Sequence, residues 1–377
     1  MNCHFPQSEL GRAEAMVIAR TDQQYLVPTD GGVLSGLIQD HVCAGVDMTA
    51  RGTLLSRDKY MQLLYVALRP DHDVASAGDG NIEQRLLMGD RGKLITLPPA
   101  IVKPRPMWTG KQVISTILLN LTYNQHPLNM ISKAKVPAKA WGGRSVDGRM
   151  QLIAPEEDQV VVMEGDLVTG VLDKSQFGAT SNGLVHCIYE VYGAPYAGKL
   201  LGILGRLFTH YWQHFGLTCR FDDLRLTAEG DVIRRELIAG SSEIGLKAAA
   251  DYVKVDMADA VDPETRASSH MLQSRLEAVV RDNERLAGLD SAMKEHTNRC
   301  TSSIINTCVP GHLYKPFPAN NLQLMTVSGA KGSPVNVSQI SCCLGQQELE
   351  GRRVPVMISG KTLTSFRAFD PAACAGG

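Results

Sequence analysis

Absences narrow this sequence before any motif does. No CxxC pair occurs among its nine cysteines, which run from Cys3 to Cys374 with Cys342 and Cys343 adjacent. An odd number without that spacing fits neither a disulfide framework nor a structural zinc site, and reads as buried or idle thiols in a reducing compartment. No uncharged apolar run reaches the roughly 18–20 residues that a membrane-spanning helix needs. The opening residues MNCHFPQSEL lack the basic and apolar regions of a signal peptide, so a soluble intracellular chain is expected. Charge of one sign is missing too: 38 Lys and Arg stand against 39 Asp and Glu, a formal net charge of −1. That excludes the overall basic balance of a free-standing nucleic-acid binder and leaves any such contact to local patches.

Reactive motifs are equally scarce. HExxH, GxSxG, DxDxDG and a strand-borne GxGxxG are all missing. The histidines are scattered, and His72, between Asp71 and Asp73, has no second ligand nearby in sequence. Arg353 to Ile358 reads as a strand, and Ser359-Gly360-Lys361-Thr362 after it resembles the tail of a P-loop. Where a P-loop needs its first glycine, however, stands Pro355, which has no amide proton to offer a phosphate. The tetrapeptide reads as a turn with an exposed lysine.

What is present is ordinary globular material. With 377 residues, 44% hydrophobic and 20% charged, the chain is long enough for two or three domains. Ser8 is placed to cap a short helix through Ala13 and Met16, and Ser56 another through Tyr60, Leu63 and Leu64. Turn signals at Asp30-Gly31-Gly32, Pro70-Asp71 and Ala77 to Gly80 break up residues 27–97, and the prolines at 98, 99, 104 and 106 exclude helix there. Val113, Ile117 and Leu121 predict a helix over 110–121. Residues 159–163 and 167–172 read as strands joined through Glu164-Gly165-Asp166, and a loop follows over 177–183. Leu200, Leu204, Leu207, Phe208, Tyr211, Trp212 and Phe215 form one helical stripe, stopped at Gly216. Ser268-Ser269 begins a long helix through Leu276, Leu289 and Met293, with Glu277–Arg281 and Asp290–Lys294 as pairs on its wet face. The whole reads as α+β with several small modules and no doubly wound sheet.

One glycine turn carries chemistry. In Gly329-Ala330-Lys331-Gly332-Ser333, two glycines flank a lysine, so backbone can approach a phosphate while the ammonium supplies charge. A flexible turn is the plainer reading of those five residues alone. Asn336, Gln339, Gln346, Gln347, Arg352 and Arg353 follow, and amides with cations beside glycine turns suit sugar and phosphate contact.

These same residues carry a resemblance. Asn321-Leu322 through Ser333, Val335-Asn-Val-Ser-Gln-Ile340 and Gly345-Gln-Gln-Glu-Leu-Glu-Gly-Arg-Arg353 resemble the largest subunit of multisubunit RNA polymerases where the funnel passes into the cleft. Collinear blocks agree: Met1 to Ser8, Ser35 to Asp40, Pro98 to Gln112, Gly178 to His186 and the helix from Pro195. Glu348 to Pro355, Ser359 to Leu363 and Ala375 to Gly377 look like the RNA polymerase I branch, whereas Pro334 departs from the pattern and residues 224–300 follow it loosely.

The resemblance implies an α+β fragment. Residues 1–24 would be the remnant of the active-site domain after the catalytic aspartate loop, 25–215 the pore, 216–325 a helical funnel and 326–377 the start of the cleft. It implies DNA-directed RNA synthesis by two metal ions, with the Mg²⁺ ligands outside this chain and no catalytic residue or cofactor within it. Lys331, Gly332 and Ser333 would face the nucleoside triphosphate. Ala179, Thr180, Ser181, Asn182 and Gly183, with Asn336, Gln339, Gln346, Gln347, Arg352 and Arg353, would line channel and cleft. Implied partners are the second-largest and other subunits, template DNA, RNA, nucleotides and the zinc ribbon of a cleavage factor at the funnel; the implied location is the nucleus and nucleolus, with no membrane. Met1 matches an internal methionine of the family, so a longer parent chain is expected. The alternatives are a short interaction protein that binds polymerase partners without catalysis, and a P-loop enzyme using Lys361.

Overall fold

Residues 1–220 with 317–333 form one compact unit, and residues 221–316 with 334–377 form the other. The computed structural model describes residues 2–69, 94–142, 155–262 and 268–372. The turns expected at Pro70-Asp71 and Ala77 to Gly80, His72, Cys374 and the Ala375 to Gly377 block lie outside the described residues.

The first unit opens with α1 (Glu9–Val17), where the Ser8 hydroxyl accepts from the Gly11 amide at 3.1 Å, the cap its sequence predicts. Nothing on α1 is buried. The core gathers further along, between α2 (Asp40–Thr49), α3 (Arg57–Leu68), α4 (Gly110–Leu121) and α7 (Ala194–Phe215). Ser56 caps α3, and Thr109 and Gln112 make a reciprocal capping box on α4. β1 (Leu54–Ser56) pairs antiparallel with β2 (Met107–Thr109), so α3 leaves the ladder at one end and α4 at the other. Tyr60 is buried there, its hydroxyl 2.6 Å from Thr116 Oγ1 and its ring stacked on Trp108. The predicted stripe of α7 is buried from Leu200 to Tyr211, then comes to the surface at Phe215, and Gly216 at φ 69° ends the helix.

A small antiparallel sheet runs in the order β3 (Met130–Lys133), β4 (Gln159–Met163), β5 (Asp166–Thr169). Its hairpin turn is tighter than expected, with Glu164 and Gly165 alone at positive φ. β5 also stops short of Leu172: Gly170 turns the chain at φ 84°, so close that a Cβ would sit 2.5 Å from the Val160 Cα. The short α5 (Lys174–Phe177), α6 (Leu184–Tyr192) and α12 (Asn321–Val327) complete this unit.

The second unit is built on α8 (Ala228–Val253) and α11 (Asn283–Gly311). They run antiparallel: the Thr227 amide donates to the His312 carbonyl at one end, and the Tyr252 hydroxyl to the Arg285 carbonyl at the other. α9 (Met257–Ala260), α10 (His270–Val280) and α13 (Pro334–Ser341) pack with them. Three expectations fail here. The helix predicted from Ser268-Ser269 to Met293 is two helices, because Asp282 stops α10 and caps α11 by accepting from the Glu284 amide at 3.0 Å. Glu277–Arg281 pairs at 2.6 Å as predicted, whereas Asp290 faces Arg353 at 3.8 Å and Lys294 binds Glu348 at 2.8 Å. A tertiary partner outweighs an i,i+4 pair that is worth only about 0.2–0.5 kcal/mol. Finally, Arg353 to Met357 joins no strand, Ile358 already belongs to the turn, and that turn leaves Lys361 half-buried rather than exposed. The α+β class stands, with helix predominating.

Candidate functional site

Glycines place the loop over residues 178–183. Gly36 lies against it so closely that a Cβ there would meet the Gly178 carbonyl carbon at 2.3 Å, and the Leu37 amide donates to the Phe177 carbonyl at 2.8 Å. Gly178 and Gly183 fold back on α5, with 2.4 Å from the Gly178 Cβ position to Lys174 O and 2.2 Å from that of Gly183 to Ser175 O. The residues between are exposed: Ala179, Thr180, Ser181 and Asn182. Thr180 donates from its hydroxyl to Lys174 O at 2.8 Å, and Asn182, at φ 63°, donates its amide to His186 Nδ1 at 2.9 Å. That bond leaves the His186 proton on Nε2, which faces Glu190 at 3.2 Å. The loop is thus a rigid projection with polar tips.

The lysine turn follows α12 directly. Gly329 and Gly332 have φ of 81° and 79°, values that side-chain-bearing residues rarely adopt, and the Lys331 amide closes on the Met325 carbonyl at 3.1 Å. Lys331 and Gly332 are exposed, and Ser333 is half-buried. A second lysine, unforeseen from sequence, attends this turn: a Cβ on Gly329 would lie 2.6 Å from Lys135 Nζ. Lys135 also ties the turn to the loop, since its amide and that of Val136 donate to Asp173, the residue that caps α5. Asp173 is fully buried and takes two further bonds from the Ser175 amide and hydroxyl. Burial pushes its carboxyl above the ordinary range, while those donors oppose the shift by favouring the carboxylate. An Asp-x-Ser spacing is the local signal that could have marked it.

The remaining candidates belong to the second unit. Asn336 is exposed on α13 and Gln339 half-buried beside it. Gln346 accepts from Thr297 Oγ1 at 3.3 Å, and the Gln347 amide group turns back on the Leu344 and Gly345 carbonyls. Glu350 and Gly351 form a tight turn at positive φ that leaves Arg352 exposed and directs Arg353 inward to Asp290. Burial raises the Asp290 carboxyl, and Arg353 pulls it back down. These arginines, with Leu276, Leu286 and Phe369, line a cavity of about 790 Å³. Among the described residues no group of three or more His, Cys, Asp or Glu is arranged to hold a metal ion, and no helix is long and apolar enough to cross a membrane.

The family described as RNA polymerase Rpb1, domain 3, matches residues 24–224. The chain belongs to the RNA polymerase largest-subunit family. Domain 4 of the same family matches residues 273–377, so all of α8 and α9 fall between the two matched segments. The chain is 51% identical to DNA-directed RNA polymerase I subunit rpa1 of Schizosaccharomyces pombe, over 100% of its own length and 20% of that protein. It is 46% identical to subunit RPA190 of Saccharomyces cerevisiae and 44% to rpa1 of Dictyostelium discoideum, again over 100% of the chain and 21% of each relative. It spans about a fifth of the length of these largest subunits. The RNA polymerase I branch expected from residues 348–363 agrees with all three.

Proposed function

We propose that this chain supplies the pore, the funnel and the start of the cleft of an RNA polymerase I largest subunit, and that it lines the channel through which nucleotides reach the catalytic centre. Residues 1–24 would close the active-site domain, 25–215 form the pore, 216–325 the funnel and 326–377 enter the cleft. The observation that carries the reading is the pair of exposed lysines, Lys135 and Lys331, at a glycine turn that lets an anion approach the backbone. Two cations in a near-neutral chain steer nucleotide phosphates without gripping duplex DNA. Lys331, Gly332 and Ser333 face the triphosphate; residues 179–183, with Asn336, Gln339, Gln346, Gln347, Arg352 and Arg353, line channel and cleft.

The reaction of the whole enzyme is DNA-directed nucleotidyl transfer in the nucleus, at the nucleolus. It needs the second-largest and other subunits, template, RNA and Mg²⁺, and the funnel receives the zinc ribbon of a cleavage factor. No metal-dependent step is assigned to this chain; the Mg²⁺ ligands would lie in other parts of the enzyme. Replacing Lys331 by Ala in the assembled polymerase tests the reading. Loss of one exposed charge about 4 Å from a phosphate is worth about 1 kcal/mol, roughly a fivefold rise in the nucleotide KM with kcat retained. An unchanged KM would overturn the assignment. The 377-residue chain alone incorporates no nucleotide, and template-dependent extension by it would refute the reading outright.

A further inference from the structure

His210 and His214 sit one turn apart on α7, so both side chains leave the same face of the helix. Their Nε2 atoms are 3.1 Å apart, with the rings edge to face. Two metal–imidazole bonds of about 2.0–2.1 Å, meeting at between a right angle and the tetrahedral angle, put their nitrogens about 2.9–3.4 Å apart. The spacing is that of an N–H···N hydrogen bond, and it also falls within the bite of one metal ion. His210 is also oriented for ligation. Its Nδ1 lies 2.8 Å from Gln213 Oε1, an atom that only accepts, so the proton sits on Nδ1 and the Nε2 lone pair points at His214. An outer acceptor that fixes the tautomer and ring plane is the usual companion of a metal-bound histidine.

We propose that His210 and His214 form a two-imidazole surface site for a divalent transition-metal ion of the zinc, nickel and copper group, with water completing the shell. Imidazole ligands suit those ions and disfavour Mg²⁺ and Ca²⁺, whose preference is for oxygen. The site occupies the last two turns of α7, where unpaired carbonyls make the helix end favourable to a cation. Without metal, neutral His214 donates its Nε2 proton to His210; binding moves that proton, through solvent, to Nδ1 of the same His214 ring, so both imidazoles stay neutral and each offers an Nε2 lone pair. Neighbouring histidines on this unit are engaged elsewhere: His41 with Thr209, and His186 with Asn182 and Glu190.

The test is titration of the 377-residue chain with Cu²⁺ and Zn²⁺ by calorimetry near neutral pH, with the nitrogen hyperfine pattern of bound Cu²⁺ as a second readout. The parent chain should bind Cu²⁺ more tightly than Zn²⁺ and show two coordinated nitrogens. His214→Ala removes a ligand at an exposed position, so it should lose that equivalent and its two-nitrogen signature with the unfolding midpoint unchanged. Gln213→Ala keeps both ligands and should weaken binding about 10–100-fold. If His214→Ala binds both ions with the parent's stoichiometry and affinity, the site is refuted. Parent-like affinity in Gln213→Ala refutes the role of Gln213 as the orienting group.

Discussion

Adding one methyl group at Gly183 tests whether the loop over 178–183 is held by backbone contact. At Gly183 φ is −94° and ψ −179°, an extended conformation open to any residue. Freed of its neighbours, Gly183→Ala would stabilise the chain by about 0.4–1 kcal/mol through the unfolded state. The neighbours reverse the sign. The new Cβ would sit 2.2 Å from Ser175 O and 2.8 Å from Gln176 O, and both atoms are backbone, unable to rotate aside. Forcing such an overlap apart costs about 1–3 kcal/mol, and alanine is also a poorer cap than glycine for α6. The net expectation is a loss of about 1–2 kcal/mol, or about 2–8 °C in the midpoint for a unit of this size. Urea unfolding followed by circular dichroism, at low protein concentration, measures it. Gly52→Ala is the control, because a Cβ there meets nothing within 4 Å. If Gly183→Ala is as stable as the parent while Gly52→Ala is neutral, the loop is not anchored by contact with α5.

Lys111 and Glu157 form an ion pair at 2.7 Å, with side chains only 12% and 6% exposed. Lys111→Met strands the carboxylate and should cost about 3–5 kcal/mol in denaturant unfolding, most of it recovered by also changing Glu157 to Leu. Asp47 accepts from the Tyr211 hydroxyl at 2.6 Å, yet burial raises its carboxyl above the ordinary 3.8. The folded chain then keeps a proton that the unfolded chain has released, so this group's contribution to stability falls as pH rises through 3.8 towards the folded value. Asp47→Asn still accepts from Tyr211 and should flatten that slope in midpoints measured against pH; an unchanged slope would assign it to other groups. On α1, Leu10 and Val17 are 81% and 68% exposed, so the isolated chain should self-associate, and Leu10→Glu with Val17→Lys should reduce light scattering. A parent chain that stays monodisperse at high concentration would contradict this.

Local signals made the first unit largely legible. Ser8, Ser56 and Gly216 act within one turn of their own backbone, and the α7 stripe is a single periodic face. The second unit resisted because its information is not local. Across α8 the apolar residues follow no clear face, yet it forms a helix of 26 residues by pairing along its length with α11. α11 itself continues through Pro310, where a sequence rule would have stopped it, because α8 and α13 pack against it. The apolar spacing from Leu276 to Met293 continues across Asp282, so periodicity alone does not mark the split there.

The lysine turn was visible because glycine and lysine declare their roles within five residues. Its surroundings were not. Lys135 and Asp173 lie far from Lys331 in sequence, and neither belongs to a recognisable motif; they meet only because the fold carries β3 and the start of α5 to the end of α12. The same holds for Gly36 and Gly183, which stand 147 positions apart and reveal their purpose only where backbone meets backbone. A buried carboxylate that accepts four hydrogen bonds cannot follow one partner without losing the others, so Asp173 couples the position of the Lys135 segment to that of the 178–183 loop. If Lys331 meets a phosphate as proposed, Lys135 is positioned by the same carboxylate that caps the helix before the loop. Channel wall and phosphate-facing turn would then move as one piece, and Asp173→Asn, which exchanges two acceptor sites for donors, should loosen both together.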